Sequence, residues 1–256
     1  MRIEEEIRDF RRRVEEALRE IKDPYLSYVL RPPGKLIRPL LVFAGAYPLS
    51  SRKVIHASVA VELLHASSLV HDDLPAVDND ELRRGKPAAH VKFGEGVAIM
   101  LGDALLCLAF EYAADLGMDA VKLLARAGGM EGVAGGQILD LHGAETLEQV
   151  REVHLRKTAK LMEASFLLGL LVSGRQNILG KGAELGRELG LLFQAVDDIL
   201  DSETCGGEPN VVKILGMEKS RALALGYLKS IEEKAEEFPG REIIRWLAER
   251  TIERIS

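Results

Sequence analysis

The chain has 256 residues, 40 of them acidic and 34 basic, for a formal net charge of −6. That balance, with only 5% aromatic residues, excludes a surface built to read a nucleic-acid backbone, which needs excess Lys and Arg with interleaved aromatics. Hydrophobic residues make up 47%, enough for a sizeable core, and the two cysteines, Cys107 and Cys205, give neither a metal spacing nor a disulfide framework. A reduced, cytoplasmic setting is expected, with a single Cys107–Cys205 pair left open.

In chain order, residues 1–22 are too charged for a targeting segment. Ile3, Ile7, Phe10, Val14, Ala17, Leu18 and Ile21 recur at helical steps, predicting a helix over 2–22. Further helices are predicted over 37–47, 52–74, 94–115, 119–141, 146–173, 180–203, 217–236 and 240–255, from periodicity and from Ala, Leu and Glu content. Residues 88–208 contain no proline, which suits long uninterrupted helices. There is no sustained period-two alternation, no flexible linker and no internal repeat. The expectation is a single all-α domain over 1–256, a bundle of about eight to ten helices. The stretches 97–108 and 161–173, apolar around most of their circumference, belong at its centre. No uncharged stretch reaches the roughly 20 residues of a membrane span, so a soluble chain is expected.

Two acid clusters stand out. Asp72, Asp73, Asp78, Asp80 and Glu81 fall within ten residues, where Pro75 should end the preceding helix. Asp197, Asp198 and Asp201 form the second, with Asp197 and Asp201 sharing a helix face at its C-terminal end. Carboxylates at a helix C-terminus are disfavoured by about 0.3–1 kcal/mol each. Bound cations resolve both cases, and Mg²⁺ fits because it takes hard oxygen ligands, typically one or two carboxylates completed by phosphate oxygens and water. A solvated acidic loop is the alternative for either cluster alone, and Asp80 and Glu81 read as solvent-facing.

Cationic groups cluster nearby. Lys35 and Arg38 open a helix three residues apart, Arg83 and Arg84 follow the first acid cluster, and Lys157-Thr158 lies in the helix before the second. An arginine pair alone is more often an exposed turn than a phosphate clamp. His65 lies two helical turns before Asp72, as a ligand-facing or a hydrogen-bonded core histidine. His71 reads as a local support for the acids, and Asp103, in an apolar helix, needs a partner or a proton.

Together these residues resemble the trans-isoprenyl diphosphate synthases of the polyprenyl synthetase family. Gly34-Lys35-x-x-Arg38, His65, Asp72-Asp73-x-x-x-x-Asp78, Arg83-Arg84-Gly85, Gly135-Gly136-Gln137-x-x-Asp140, Lys157-Thr158 and Phe193-Gln194-x-x-Asp197-Asp198-x-x-Asp201 follow the family's order and approximate spacing over residues 34–201. Residues 214–221 look like the family's later helix start. The resemblance implies an all-α isoprenoid synthase fold around a deep central cavity, usually a homodimer, and head-to-tail condensation of isopentenyl diphosphate with an allylic diphosphate. It implies Mg²⁺, three ions with diphosphate bound, on Asp72, Asp78 and Asp197, with Asp73, Asp198 and Asp201 as ligands or supports. Arg83, Lys157, Thr158 and Gln194 would hold the allylic leaving group. Lys35, Arg38, His65 and Arg84 would place isopentenyl diphosphate.

The two-residue widening of the first acid motif, which puts Leu74-Pro75-Ala76-Val77 between its aspartates, resembles short-chain bacterial and plant members. Positions four and five before Asp72, Ser68 and Ser67, lie about 6–7.5 Å deeper along the helix, and at the second of these farnesyl-producing relatives commonly carry a bulky aromatic. Small Ser67 points to geranylgeranyl diphosphate, with farnesyl diphosphate the alternative and Leu64 the next obstruction. Residues 202–210 are shorter than the family's lysine-bearing lid and contain no lysine; Lys213 is the first available. That departure motivates a second alternative, a regulatory subunit of a heteromeric prenyl synthase. A metal-dependent phosphohydrolase around His71-Asp72 is a third, but His56 and His65 do not converge with it and the second acid cluster is left unexplained.

Overall fold

The computed structural model describes residues 2–202 and 209–255. Among them run α1 (Arg2–Arg19), α2 (Pro24–Leu30), α3 (Ile37–Ala46), α4 (Arg52–Asp72), α5 (Ala89–Phe93), α6 (Glu95–Ala114), α7 (Met118–Gly128) and α8 (Val133–His142). They continue with α9 (Leu147–Val153), a π-helical turn (His154–Ala159), α10 (Lys160–Val172), α11 (Leu179–Leu200), α12 (Val211–Leu215), α13 (Met217–Ala235) and α14 (Arg241–Ile252). A hairpin of two two-residue strands, β1 (Leu82–Arg83) and β2 (Lys86–Pro87), is the only strand structure among the described residues, so the all-α expectation holds.

Helices α3, α4, α10 and α11 form the centre. In α4 nearly every residue from Val54 to Ser67 is buried, and α10 is buried almost continuously from Leu161 to Leu170. Small residues let α3 and α10 touch: a Cβ on Gly45 would lie 2.4 Å from the Phe166 carbonyl oxygen, and one on Gly169 2.1 Å from that of Val42. Helix α1 covers this layer with the apolar stripe read from sequence, Ile7, Phe10, Val14 and Leu18, and Phe10 stacks on Phe43 with ring centroids 4.3 Å apart.

The boundaries differ in instructive ways. The helix expected over 119–141 is two, because the chain turns at Gly128–Gly132, where a Cβ on Gly132 would lie 1.9 Å from the Ala127 carbonyl oxygen. The helix expected over 52–74 stops at Asp72, three residues ahead of Pro75. Helix α2 went unread although Asp23-Pro24 is an N-cap followed by a first-turn proline: Asp23 Oδ1 accepts from the amides of Tyr25 at 2.9 Å and Leu26 at 3.0 Å. By length and composition alone α4 and α6 are apolar enough to cross a membrane, although each carries charged residues and neither is an uncharged stretch of that length. Helix α4 is instead a buried core helix, whereas the apolar window of α6 is only 33% buried within this chain.

Candidate active site

The first acid motif hangs from the end of α4. The four-residue spacer folds back on itself, with the Asp78 amide donating to the Asp72 carbonyl at 2.9 Å, so Asp72 and Asp78 return to one side. Burial, with the like charges of Asp78 and Asp73, pushes the Asp72 carboxyl up to about 7 against the pull of Lys157. Asp73 turns the other way. It is 2% exposed and accepts from Arg83 Nε at 2.8 Å, and Arg83 also reaches Asp80 Oδ2 at 2.7 Å. Asp80 and Glu81 are exposed, as expected.

The second motif ends α11 in the same manner. Asp197 lines the cleft and lies 2.7 Å from Arg254 Nη1. Asp198 is 4% exposed and turned inward, accepting from the Val211 amide at 2.7 Å and Gln194 Nε2 at 3.1 Å; burial pushes its carboxyl up to about 6. It thereby holds the start of α12. Buried His154 stands 3.4 Å from Asp198, and burial, with the charge of Lys157, depresses its pKa to about 4. Asp201 is exposed.

Between the motifs the π-helical turn presents Lys157 and Thr158, a widening that recurs at functional sites. It requires Gly135-Gly136: a Cβ on Gly136 would lie 2.1 Å from the Lys157 amide nitrogen. Lys157 pairs with Asp140, Gln137 Nε2 donates to Asp78 Oδ1 at 3.3 Å, and Thr158 Oγ1 donates to Gln194 Oε1 at 2.8 Å. A small polar hollow of about 70 Å³ joins Asp140, Lys157, Thr158, Gln194, Asp198 and Asp201.

A cleft of about 440 Å³ opens beside it, where Lys35, Arg38, His65 and Arg84 meet Thr158, Gln194 and Asp197. Leu36 at the head of α3 adopts a left-handed backbone at φ 53°, as does Arg84 at φ 54°, and the loops so bent bring Lys35 and Arg84 to one rim. Burial and the charges of Arg38, Arg84 and Arg83 hold His65 well below the usual histidine range, so it stays neutral and serves as a hydrogen-bonding group. Burial also lowers Arg38, whose Nε is shut off from solvent.

The residues read as setting product length lie deeper on α4. Ser67 Oγ donates to the Gly102 carbonyl at 2.8 Å, Ser68 Oγ to the His65 carbonyl at 2.9 Å, and Leu64 packs where a Cβ on Gly128 would come within 2.9 Å. Asp103 is exposed rather than buried, 3.6 Å from His71, which supplies the partner that sequence left unnamed. Cys107 is exposed on α6. Cys205 and most of the short lysine-free loop at 202–210 lie outside the described residues. Two cleft residues escaped the sequence reading. Arg254 carried no signal, whereas Glu62, a charge within an apolar helix three residues before His65, did.

The donor set fits Mg²⁺. All the candidate ligands are carboxylate oxygens, and no group of three or more His, Cys, Asp or Glu side chains converges on one point among the described residues. Mg²⁺ does not need three protein ligands at one point, since it uses one or two carboxylates when phosphate oxygens and water complete its shell.

A sequence profile of the family described as Polyprenyl synthetase matches residues 19–216. A geranylgeranyl pyrophosphate synthase, chloroplastic, of Capsicum annuum is 37% identical over 255 aligned residues, covering 87% of this chain and 69% of that protein. A heterodimeric geranylgeranyl pyrophosphate synthase large subunit 1, chloroplastic, of Arabidopsis thaliana is 40% identical, covering 78% of this chain and 62% of that protein. The chain thus spans about two thirds of the length of these curated relatives. Among solved structures, a geranyltranstransferase of Thermotoga maritima superposes with a TM-score of 0.85 at 29% identity, covering 95% of this chain and 96% of that one. A Helicobacter pylori geranyltransferase complexed with magnesium and isoprenyl diphosphate superposes with a TM-score of 0.82 at 28% identity, covering 96% and 95%. With the isoprenoid synthase fold in place, this chain belongs to the polyprenyl synthetase family.

Proposed function

We propose that this protein is a Mg²⁺-dependent prenyltransferase that joins isopentenyl diphosphate head to tail to an allylic diphosphate, giving geranylgeranyl diphosphate. The observation that carries this reading is the cleft in which Lys35, Arg38, His65 and Arg84 face Thr158, Gln194 and Asp197. It sets a cationic wall opposite hydrogen-bonding groups and one aspartate, Asp197, as a diphosphate beside a metal ion requires. Arg83, Lys157, Thr158 and Gln194 hold the allylic diphosphate, with Asp73 fixing Arg83 and Asp140 fixing Lys157. Lys35, Arg38, His65 and Arg84 hold isopentenyl diphosphate so that its double bond faces the allylic carbon. Mg²⁺ on Asp72, Asp78 and Asp197, with Asp201 beside them, supplies charge neutralisation to the leaving diphosphate. The allylic carbon–oxygen bond breaks with its electrons on the diphosphate, the isopentenyl double bond forms the new carbon–carbon bond, and the departing diphosphate takes the proton. Asp73 and Asp198 support this site from within the protein.

Small Ser67, and a pepper relative named for geranylgeranyl pyrophosphate synthesis, favour geranylgeranyl over farnesyl diphosphate. The exposed apolar face of α6, with Val97, Ile99 and Met100, together with Ile138 and Leu141 on α8, supports a homodimer. The exposed thiol of Cys107 suits a cytoplasmic setting. The alternative of a regulatory subunit rests on the lysine-free loop, while the completeness of both acid motifs favours the enzyme. The test is incubation with Mg²⁺, isopentenyl diphosphate and each of dimethylallyl, geranyl and farnesyl diphosphate, followed by product chromatography. The expected product is geranylgeranyl diphosphate, and activity that appears only with a partner subunit would favour the alternative.

A further inference from the structure

The cleft that should attract a diphosphate has a carboxylate at its base. Glu62 sits on α4, one turn before His65, and is 3% exposed. Its Oε1 lies 3.7 Å from Arg84 Nη2, and it lines the same cleft as Lys35, Arg38 and His65. Burial raises its pKa while the charges of Arg38 and Arg84 pull it down, so both guanidiniums act on it. By charge alone Glu62 is a liability here. A buried anion lowers the positive potential of an anion-binding cleft and is itself costly to desolvate.

Asp197, the other acid lining this cleft, is engaged by Arg254 at 2.7 Å. Asp197 also acts on Arg38, but Glu62 is the carboxylate on which both Arg38 and Arg84 act. These two reach the cleft from separate elements, Arg38 from the first turn of α3 and Arg84 from the turn between β1 and β2. A guanidinium on a long stem binds an oxyanion well when its fork is already oriented. Arg84 has further ties that aim it: Nη1 donates to the Pro32 carbonyl at 3.0 Å, and a Cβ on Gly34 would come within 2.9 Å of its Nη2. The Arg38 Nε makes no hydrogen bond among the described residues, and of the two carboxylates whose charge acts on Arg38, Glu62 and Asp197, Glu62 has the larger pull.

We propose that Glu62 is a positioning residue of the isopentenyl diphosphate subsite: its buried carboxylate fixes the forks of Arg38 and Arg84 from below, so that their outward N–H groups meet the incoming diphosphate together. This rests on the condensation reading given above. Charge and positioning make opposite forecasts for Glu62→Gln. Removal of a negative charge should tighten anion binding, whereas loss of the fixed forks should weaken it.

The test is steady-state kinetics of the full chain, varying each substrate in turn. Positioning by Glu62 gives Glu62→Gln a KM for isopentenyl diphosphate raised about tenfold or more, with the allylic KM within about twofold of wild type. Glu62→Asp, which keeps the charge and withdraws it by one methylene, should fall between the two, and it serves in place of Glu62→Gln should that variant not fold. In an Arg84→Gln background Glu62→Gln should add less to that KM than it does alone. An unchanged or lowered KM for isopentenyl diphosphate, or an equal rise in both KM values with a lowered melting temperature, overturns the inference. A wild-type protein that condenses nothing overturns the functional reading, and this inference with it.

Discussion

The two acid motifs look alike in sequence and are wired differently. In each, the second aspartate turns into the protein: Asp73 is 2% exposed against Arg83, and Asp198 is 4% exposed against the Val211 amide. In each, the first aspartate, Asp72 or Asp197, carries a pKa raised by burial, and Asp197 lines the cleft. The difference lies in the counter-charge. The first motif draws Arg83 from the hairpin ten residues on, whereas the second draws Arg254 from the last turn of the chain. A motif that closes locally is preassembled as soon as α4 and the hairpin form, and one that depends on the C-terminus is assembled only when the whole chain has folded.

Substitutions that treat the motifs as equivalent should show the largest effects. Asp72→Asn and Asp197→Asn should each lower kcat by about a hundredfold or more, as should chelation of Mg²⁺, because developing charge on the leaving diphosphate would lose its partner. Initial-rate assays over a Mg²⁺ series check this, and a difference of more than about tenfold between the two variants would break the symmetry. Asp73→Asn should act more weakly and on one substrate, raising the allylic KM about tenfold by loosening Arg83. Arg254→Gln separates the motifs. It should lower the melting temperature of the metal-free protein by several degrees, because Asp197 loses its counter-ion, and Mg²⁺ should restore most of that loss. The matching Arg83→Gln change should be restored less by Mg²⁺, since Asp73 faces away from the ion.

The acid motifs, the long helices and the apolar stripe of α1 were legible because each is local: a period, a proline, a run of carboxylates at a helix end. What stayed hidden depends on contacts distant in sequence. Arg254 meets Asp197 only through the packing of α14 and the closing turn, and Gly136 matters only because the Lys157 backbone crosses it at 2.1 Å from where a Cβ would sit. The inward turn of Asp73 and Asp198 was not legible either, since adjacent aspartates on a helix look equal until their partners are placed. Glu62 was visible as a charge in an apolar helix, and its meaning appeared only with Arg38 and Arg84 beside it.

Two smaller effects sharpen the comparison further. Ser67→Tyr should shorten the product by one isoprene unit with activity retained, and product chromatography that shows unchanged length would remove Ser67 from the cavity floor. His154, beside Asp198, should leave a pH signature on the second motif alone. Its folded pKa of about 4 lies below the ordinary 6.5, so the unfolded chain takes up the proton first as pH falls. The stability it contributes is full above about 6.5 and is lost as pH drops toward 4. His154→Asn should therefore flatten the fall in melting temperature between pH 6.5 and 4.5 by a few degrees.

The central claim is that both motifs grip one metal-bound diphosphate across the cleft. Calorimetric titration with a non-hydrolysable thiolo analogue of farnesyl diphosphate tests it most directly, for wild type, Asp72→Asn and Asp197→Asn, with and without Mg²⁺. Tight binding by wild type only with Mg²⁺, weakened at least about tenfold by either substitution, is the predicted result. Binding that ignores Mg²⁺, or that survives the loss of either aspartate unchanged, would contradict it.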